Sequence, residues 1–275
     1  AWMNNTETYD FVVIGGGLFG SYAALHCAKL GHKVCLIERE DALFKKASVV
    51  NQARLHAGYH YPRSVATARM SDDNKARFTA EHKEMVFADF EKYYAIDKHS
   101  SFTDNRQFQR FWDFLDIQCE PVNNHPLFNY DRLEAVYKTI EHTFDPFLIK
   151  NKYQKKLEEE KKITLKLSTE ITQVERGSSE NWILHVSQGD KSSKINCSAA
   201  INATYAGTNS ILGLFGFEEW DLQHEISEIG LIEAPEIAHL GLTVMDGPFG
   251  SIMPYGKSGL LSISSVAYTH HKISY

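Results

Sequence analysis

The stretch Val12–Leu25, VVIGGGLFGSYAAL, constrains the fold of this 275-residue chain more than any other segment. The apolar run Phe11–Ile14 has the continuous hydrophobicity of a strand that is buried on both faces of a parallel sheet. Gly15, Gly17 and Gly20 follow at the spacing G-x-G-x-x-G. In that pattern the first glycine permits a tight turn, the second lets the backbone approach a pyrophosphate, and the third brings the next helix close to the strand. The stretch therefore predicts a strand–turn–helix unit that binds phosphate groups.

The residues that follow complete this unit. Small side chains at Ala24 and Ala28 suit a helix that packs on a sheet, and Gly31 suits the C-terminus of that helix. A second apolar strand then leads to Glu38, at the distance from Gly15 where an acidic side chain accepts hydrogen bonds from an adenosine ribose. We therefore predict a dinucleotide site. NAD and FAD are both compatible with it, because the fingerprint binds only the ADP half that they share.

Composition and spacing argue against several other functions. The net charge of −6 gives no general attraction to nucleic acid or to an anionic membrane. The four cysteines are scattered without a CxxC pair, which fits a reducing, cytoplasmic compartment and neither a disulfide framework nor a zinc site. No run approaches the roughly 20 apolar residues that a membrane span needs. We also expect no metal site, because no histidine pair stands with carboxylates in a ligand pattern.

Three further segments carry a resemblance to a known family. After Glu38 the regular β-α-β alternation stops, and a polar and aromatic loop follows with NQARLHAGYHYP at its centre. Further along, SAAINATYAGTNSIL is an apolar strand that runs into a turn of small residues, and VMDGPFGSIMPYGKSGLLSISSVAYTHH alternates turn and strand patterns. In this order the segments resemble the FAD-dependent oxidoreductases related to D-amino acid oxidase, glycine oxidase and L-2-hydroxyglutarate dehydrogenase.

The resemblance implies an α/β fold, in which a three-layer, Rossmann-like FAD-binding domain of the glutathione-reductase type is interrupted by a substrate domain on an antiparallel sheet. It places the FAD-binding domain at residues 8–80 and 129–215, and the substrate domain at residues 81–128 and 216–275. It also implies that FAD is the cofactor and that these residues bind it: Gly15, Gly17, Leu18, Phe19, Gly20, Glu38, Arg39, Ser48, Asn51, Gln52, Val174, Ala203, Thr204, Ala206 and Gly207.

The resemblance further implies an oxidation of a small molecule, in which a hydride leaves a carbon that bears an amine or a hydroxyl group. We expect His56 to accept the substrate proton, since histidine titrates near neutrality, although it could instead be a histidine that bonds the backbone of a tight loop. Tyr255 is the second expected catalytic group. Arg54 or Arg63 could pair with a substrate carboxylate, an FAD phosphate or an internal acid. The sequence does not specify the electron acceptor.

Two alternatives stay open at this point. An NAD-linked Rossmann dehydrogenase predicts a six-stranded parallel sheet, which the strand-rich second half of the chain does not suggest. A non-catalytic or truncated flavin-fold protein would act as a binding module and would not be reduced by any substrate. Chains of the resembling family continue beyond the equivalent of Tyr275, and this favours the second alternative.

The middle of the chain gives weaker patterns. Ser64 is a plausible N-cap for one or two helices that extend to about residue 90. Phe102–Phe128 reads as irregular, and the charged run Lys150–Lys162 reads as a solvated helix end rather than as a partner surface. Residues 129–148 are predicted to form an amphipathic helix. The apolar residues on one face of that helix would be Leu133, Val136, Tyr137 and Ile140.

Overall fold

The computed structural model describes residues 6–275. In chain order its strands are β1 (Glu7–Ile14), β2 (Val34–Ile37), β3 (Arg54–Leu55), β4 (Val86–Phe87), β5 (Glu91–Asp97), β6 (Cys119–Pro121), β7 (Leu133–Thr139), β8 (His142–Phe144), β9 (Ile163–Lys166), β10 (Glu170–Arg176), β11 (Trp182–Gln188), β12 (Lys191–Asn202), β13 (His224–Ser227), β14 (Gly230–Ile232), β15 (Leu240–Val244), β16 (Gly250–Pro254), β17 (Leu261–Ser265) and β18 (His270–Ser274). Its helices are α1 (Leu18–Lys29), α2 (Val65–Glu81), α3 (Asn105–Leu115), α4 (Pro146–Glu159) and α5 (Thr208–Leu214), with short 3₁₀ turns at Lys83–Met85, Tyr205–Gly207 and Pro235–Ile237.

The chain forms two compact units. The first, unit 1, runs up to Val50 and resumes over Phe147–His224, with Tyr275 added. The second, unit 2, covers Asn51–Pro146 and Glu225–Ser274. The segment boundaries predicted from the resemblance stay predictions; this division assigns residues 51–80 and 129–146 to unit 2 and residues 216–224 to unit 1. The physical reason is strand pairing: β3 pairs with β8, and β7 pairs with β5.

Unit 1 is built on a six-stranded sheet in the order β10-β11-β12-β1-β2-β9. The four strands β12, β1, β2 and β9 are parallel, and β10 and β11 extend the sheet in antiparallel fashion. Val12 and Val13 of β1 are both fully buried, so the apolar run has core on both faces, as its continuous hydrophobicity predicts. The parallel strands and α1 form the Rossmann-like half of an α/β fold.

Unit 2 is built on a seven-stranded mixed sheet in the order β14-β17-β16-β15-β5-β7-β6, together with the small sheet β3-β8-β4. Strand β5 of this seven-stranded sheet is buried along almost its whole length. Tyr94 and Ile96 pack in one apolar cluster with Phe108 of α3, whereas Tyr93 and Ala95 pack in another. Because successive side chains of a strand point to opposite faces, both faces of this sheet are covered.

The prediction of a helix over residues 129–148 was wrong. Residues 133–139 form strand β7, and β8 follows after a short connection at Ile140 and Glu141. Val136 and Tyr137 are both buried although they are neighbours, which requires core on two sides rather than on one helical stripe. The apolar spacing of this segment fitted a helix and a doubly buried strand equally, and the pairing of β7 with β5 and β6 decided the outcome.

The helix predictions nearby had mixed outcomes. Ser64 caps α2, since its hydroxyl accepts a hydrogen bond from the backbone N–H of Thr67. The segment Phe102–Phe128, predicted as irregular, contains α3. Asp104 and Gln107 form a reciprocal capping box at the start of α3, and this local signal was not recognised in the sequence. Within residues 6–275, no helix combines the length and the apolar character that crossing a bilayer requires.

Candidate functional site

The glycine turn after β1 brings three parts of unit 1 into close contact. Gly15 has a φ of +107° and donates its N–H to the carbonyl of Ile37 at 2.9 Å. A Cβ atom on Gly15 would collide with the carbonyl of Ala203, and a Cβ atom on Gly20 would collide with the carbonyl of Gly15 itself. Both positions therefore require glycine, because α1 and the end of β12 approach the turn too closely for any side chain.

Gly17 lies at the N-terminus of α1, where the helix dipole favours a negative charge. It has extended backbone and is the N-cap residue, but it provides no side-chain cap. The next residue, Leu18, donates its N–H to the hydroxyl of Ser48 at 2.9 Å. A Cβ atom on Gly17 would lie 2.7 Å from that hydroxyl. The helix start is thus a polar cradle that an added side chain would partly fill.

Glu38 places a carboxylate beside this cradle. It follows the last residue of β2, and its Oε2 accepts the N–H of Gly16 at 2.7 Å while its Oε1 accepts the N–H of Glu40 at 2.9 Å. These two bonds fix the carboxylate next to the glycine turn. An acidic side chain held there matches the position expected for an acceptor of ribose hydroxyl groups.

The segment NATYAG also lies beside the glycine turn. Ala203, just after β12, donates its N–H to the carbonyl of Ile14 at 2.8 Å. Thr204 is held by a hydrogen bond of 2.6 Å from its hydroxyl to the side chain of Asn202. Ala206 and Gly207 form the 3₁₀ turn that leads into α5. Unit 1 therefore brings the glycine stretch and one of the three further segments together at one corner of its parallel sheet.

The remaining residues predicted to bind FAD are distributed over both units. In unit 1, Arg39 is exposed and Val174 of β10 packs against the core beside β11. In unit 2, Asn51 accepts the N–H of Ala53 at 2.6 Å, and Gln52 donates to the hydroxyl of Ser264 at 3.0 Å. FAD contacts at these four positions, at Phe19 and at every other position named for one in the sequence analysis stay predictions.

A buried cluster of charged and polar side chains occupies unit 2. Both Nε and Nη2 of Arg54 donate to Oε1 of Glu141, at 3.0 and 2.6 Å. The hydroxyl of Tyr94 accepts from Nη2 of Arg54 at 2.7 Å and donates to the other carboxylate oxygen, Oε2, at 2.9 Å. Burial would raise the pKa of Glu141, but the positive charges of Arg54 and Lys92 outweigh it and hold the pKa at about 2. Glu141 is therefore a buried anion.

His56 and Lys92 border this cluster. Nδ1 of His56 lies 3.9 Å from Oε2 of Glu141, and burial, assisted by Arg54 and Lys92, lowers the pKa of His56 to about 4. Lys92 of β5 is buried, and its ammonium group donates to the hydroxyl of Thr243 at 2.5 Å. Burial, with a further contribution from Arg54, lowers the pKa of Lys92 well below its usual range. With a pKa of about 4, the imidazole of His56 is uncharged at neutral pH.

The two arginines considered for a substrate carboxylate both pair with acids of the protein. Arg54 pairs with Glu141, and Arg63 pairs with Asp246 through two contacts of 2.9 and 3.0 Å. The internal-acid interpretation is therefore the one that the contacts support. The turn after β16 holds Tyr255, whose pKa is raised by burial and by the nearby Asp145. Catalytic roles for His56 and Tyr255 stay predictions.

Sequence reasoning missed Glu141, Tyr94 and Lys92. Glu141 lies in the segment that was predicted as a helix, and the other two lie in a strand that carries no motif. Their proximity depends on long-range pairing of β5 with β7 and on the packing of β3 against β8. No spacing in the sequence indicates it. Over residues 6–275, no group of three or more histidine, cysteine or acidic side chains is arranged to hold a metal ion.

Comparison with known proteins agrees with these features. The chain matches the family described as FAD dependent oxidoreductase (DAO) over residues 10–261. It is 25% identical over 262 residues to the FAD-dependent monooxygenase FPY4 of Fusarium mangiferae, and this alignment covers 94% of the chain and 64% of that protein. The chain thus spans less than two thirds of the length of this relative.

Solved structures show the same fold at low sequence identity. Glycine oxidase from Geobacillus kaustophilus aligns with a TM-score of 0.74 and 14% identity, over 98% of this chain and 72% of that chain. NikD, an unusual amino acid oxidase essential for nikkomycin biosynthesis, aligns with a TM-score of 0.75 and 15% identity, over 98% and 71% of the two chains. These similarities support the α/β fold with its parallel sheet and its mixed second sheet.

The residues of unit 1 fit FAD. The glycine cradle at the start of α1 is a space that a Cβ atom would partly fill, and the fixed carboxylate of Glu38 stands beside it. The match to the family covers most of the chain and selects FAD over NAD, which the glycine fingerprint alone could not do. The chain therefore belongs to the FAD dependent oxidoreductase (DAO) family, and its cofactor is FAD.

Proposed function

We propose that this protein oxidises a small molecule by removing a hydride from a carbon that bears an amine or a hydroxyl group. When bound, FAD supplies the electron-accepting chemistry, and the protein orients the substrate and takes up its proton. Membership of the family supports the redox class. The substrate class is a small amino acid, a 2-hydroxy acid or an amine.

One observation carries the assignment of residues: His56 presents a neutral imidazole at the surface of unit 2. Its side chain is 30% exposed, whereas its Nδ1 atom is buried. Its pKa of about 4 keeps it in the form that can accept a proton at neutral pH. We propose that His56 accepts the proton of the substrate N–H or O–H group as the hydride leaves.

The charges of unit 2 guide the choice of substrates to test. Arg54 and Arg63 are engaged by Glu141 and Asp246, so we assign neither of them to a substrate carboxylate. The substrate panel should therefore contain uncharged alcohols and amines beside amino acids and 2-hydroxy acids.

In the experiment, the FAD-loaded protein is mixed anaerobically with each member of this panel, and the loss of the visible flavin absorption is measured. Reduction by one class of compound supports the proposal. A flavin that dithionite reduces but no member of the panel reduces would favour the non-catalytic binding module instead.

The role of His56 needs a matched comparison. We expect His56→Gln to keep its flavin and to lose about 10²–10⁴-fold in the rate of flavin reduction, the contribution typical of a positioned base. The control is His60→Gln, because the His60 ring lies 5.3 Å from the His56 ring in the same loop. Unchanged reduction in His56→Gln would remove His56 from the mechanism.

A further inference from the structure

The contact between His56 and Glu141 is asymmetric. The buried atom of the imidazole, Nδ1, faces Oε2 of Glu141 at 3.9 Å and has no hydrogen-bond partner among the described residues. The exposed 30% of the side chain therefore belongs to its other atoms. An imidazole so placed turns one nitrogen toward a buried anion and leaves the other side of the ring for solvent or substrate.

Residues other than His56 hold the carboxylate of Glu141 in place. Arg54 binds Oε1 through two donors, and Tyr94 donates to Oε2. Since the side chain of Glu141 is completely buried, the carboxylate has no route to water. Oε2 keeps accepting capacity beyond its bond from Tyr94, and His56 Nδ1 lies on that side.

We propose that Glu141 is a positioning residue that holds neutral His56 in the tautomer with its proton on Nδ1, which leaves Nε2 unprotonated. The hydrogen bond that one ring nitrogen makes sets the proton position on the other. At 3.9 Å the contact is longer than a hydrogen bond, and contacts of this kind tighten when the substrate complex forms. The inference rests on the proposed function only in its catalytic consequence, because the tautomer is a property of the protein alone.

Three charged groups act on His56 from the elements packed around it. Glu141 is the anion, and Arg54 and Lys92 are the basic groups on the neighbouring strands. The rings of His60 and Tyr61, from the same loop, lie 5.3 and 5.5 Å from the His56 ring. Glu141 alone among these presents a carboxylate to Nδ1, so it sets the position of the proton.

The test determines which ring nitrogen of His56 carries the proton at neutral pH, by NMR of protein labelled with ¹³C and ¹⁵N in histidine. The His56 signals are assigned from the difference between the wild-type and His56→Gln spectra. We expect the proton on Nδ1 in the wild-type protein. A proton on Nε2 in the wild-type protein would overturn the proposal, whatever the variants do.

Glu141→Gln sharpens the test through the geometry of Arg54. The two donors of Arg54 face Oε1 and select the amide oxygen for that position, so the amide nitrogen must occupy the position of Oε2. That nitrogen donates toward Nδ1, and the His56 proton is expected to move to Nε2. We expect the rate of flavin reduction to fall about 10²-fold or more in this variant, because the base is then blocked.

Two further variants separate positioning from stability. Tyr94→Phe keeps the carboxylate and should keep the Nδ1 proton. Asp97→Asn alters a different buried carboxylate, which lies in β5 and pairs with Arg132, and should also leave the tautomer unchanged. If Glu141→Gln folds and His56 keeps its Nδ1 proton, the proposal is wrong. If Glu141→Gln does not fold, the position of the His56 proton in the wild-type and Tyr94→Phe spectra tests the proposal.

The same experiments distinguish this inference from the proposed function. An Nδ1 proton in the wild-type protein, with unchanged flavin reduction in His56→Gln, would support the positioning by Glu141 and reject His56 as the base. An Nε2 proton in the wild-type protein, with slow flavin reduction in His56→Gln, would reject the positioning by Glu141 and support His56 as the base.

Discussion

The hydroxyl of Ser48 accepts a hydrogen bond of 2.9 Å from the backbone N–H of Leu18, the first residue of α1. Such a donor at the start of a helix is a typical site for phosphate oxygens. Gly17 stands between the turn and this helix, and a Cβ atom there would lie 2.7 Å from the Ser48 hydroxyl. A side chain at position 17 would therefore crowd the Ser48 hydroxyl at the start of α1.

Gly17→Ala should weaken FAD binding with little effect on the apo-protein. The new methyl group meets only the end of a flexible serine side chain, so the fold can adjust, but the group occupies space in the cradle. We expect the dissociation constant for FAD to rise about tenfold or more, which corresponds to about 1.4 kcal/mol. Fluorescence titration with FAD measures it. The control is Gly189→Ala in the exposed turn between β11 and β12, where nothing lies within 4 Å; its φ of +57° strains alanine, so this variant should lose some stability and keep its FAD affinity.

Gly20→Ala should destabilise the fold itself. Gly20 lies within α1, and helix propensity alone predicts that alanine would stabilise it by about 1 kcal/mol. The Cβ atom would collide with the carbonyl of Gly15, however, and overpacking of this kind costs about 1–3 kcal/mol. We expect the collision to dominate. Urea unfolding of the apo-protein measures the result, and a more stable variant would contradict the close approach of α1 to β1.

Lys92→Met should stabilise the protein at neutral pH. Burial lowers the pKa of Lys92 well below its usual 10.5, so the unfolded chain binds a proton that the folded chain does not favour. Because the unfolded chain binds more protons, the free energy of unfolding decreases as the pH falls below about 10.5. Methionine removes the cost and fills similar space beside Gly241. The rise in melting temperature should therefore be larger at pH 7 than near pH 10.

The control for Lys92 is Lys138→Met, which removes a half-exposed lysine that pairs with Glu91 at 2.6 Å. Its melting temperature should not rise at neutral pH. A loss of stability in Lys92→Met that does not depend on pH would show that Lys92 contributes through its packing or through its bond to Thr243.

The histidine at position 56 should make the protein sensitive to acid. Burial holds the pKa of His56 at about 4, below the ordinary value of 6.5, so between these values the unfolded state binds more protons than the folded state. The stability contributed by neutral His56 is complete above about pH 6.5 and is lost as the pH falls toward 4. Urea unfolding at several pH values measures this slope. It should decrease in His56→Gln, and an unchanged slope would contradict the lowered pKa.

The parts of the fold that the sequence predicts are those that depend on neighbouring residues. The glycine corner needs a buried strand, glycines at fixed spacing and an acid after the next strand, all within Val12–Glu38. The turn at Asp246 and the cap at Ser64 are equally local, and both are present. Such features are visible because each residue has a role that few other residue types can fill.

The parts that could not be predicted depend on long-range pairing. Val136 and Tyr137 fit a helical face as well as a strand with core on both sides, and the neighbours β5 and β6 decide between them. Glu141 follows directly in the connection to β8, so a helical interpretation of this segment gives no indication that Glu141 approaches Arg54. The buried cluster is therefore a result of sheet topology rather than of a motif.

The decisive experiment is a titration of the purified apo-protein with FAD, followed by fluorescence. We expect saturable binding of one FAD per chain, and at least tenfold weaker binding for Gly17→Ala at unchanged apo-protein stability. Absence of FAD binding by the folded protein, or equal affinity in Gly17→Ala, would contradict the assignment of the glycine corner as the FAD site.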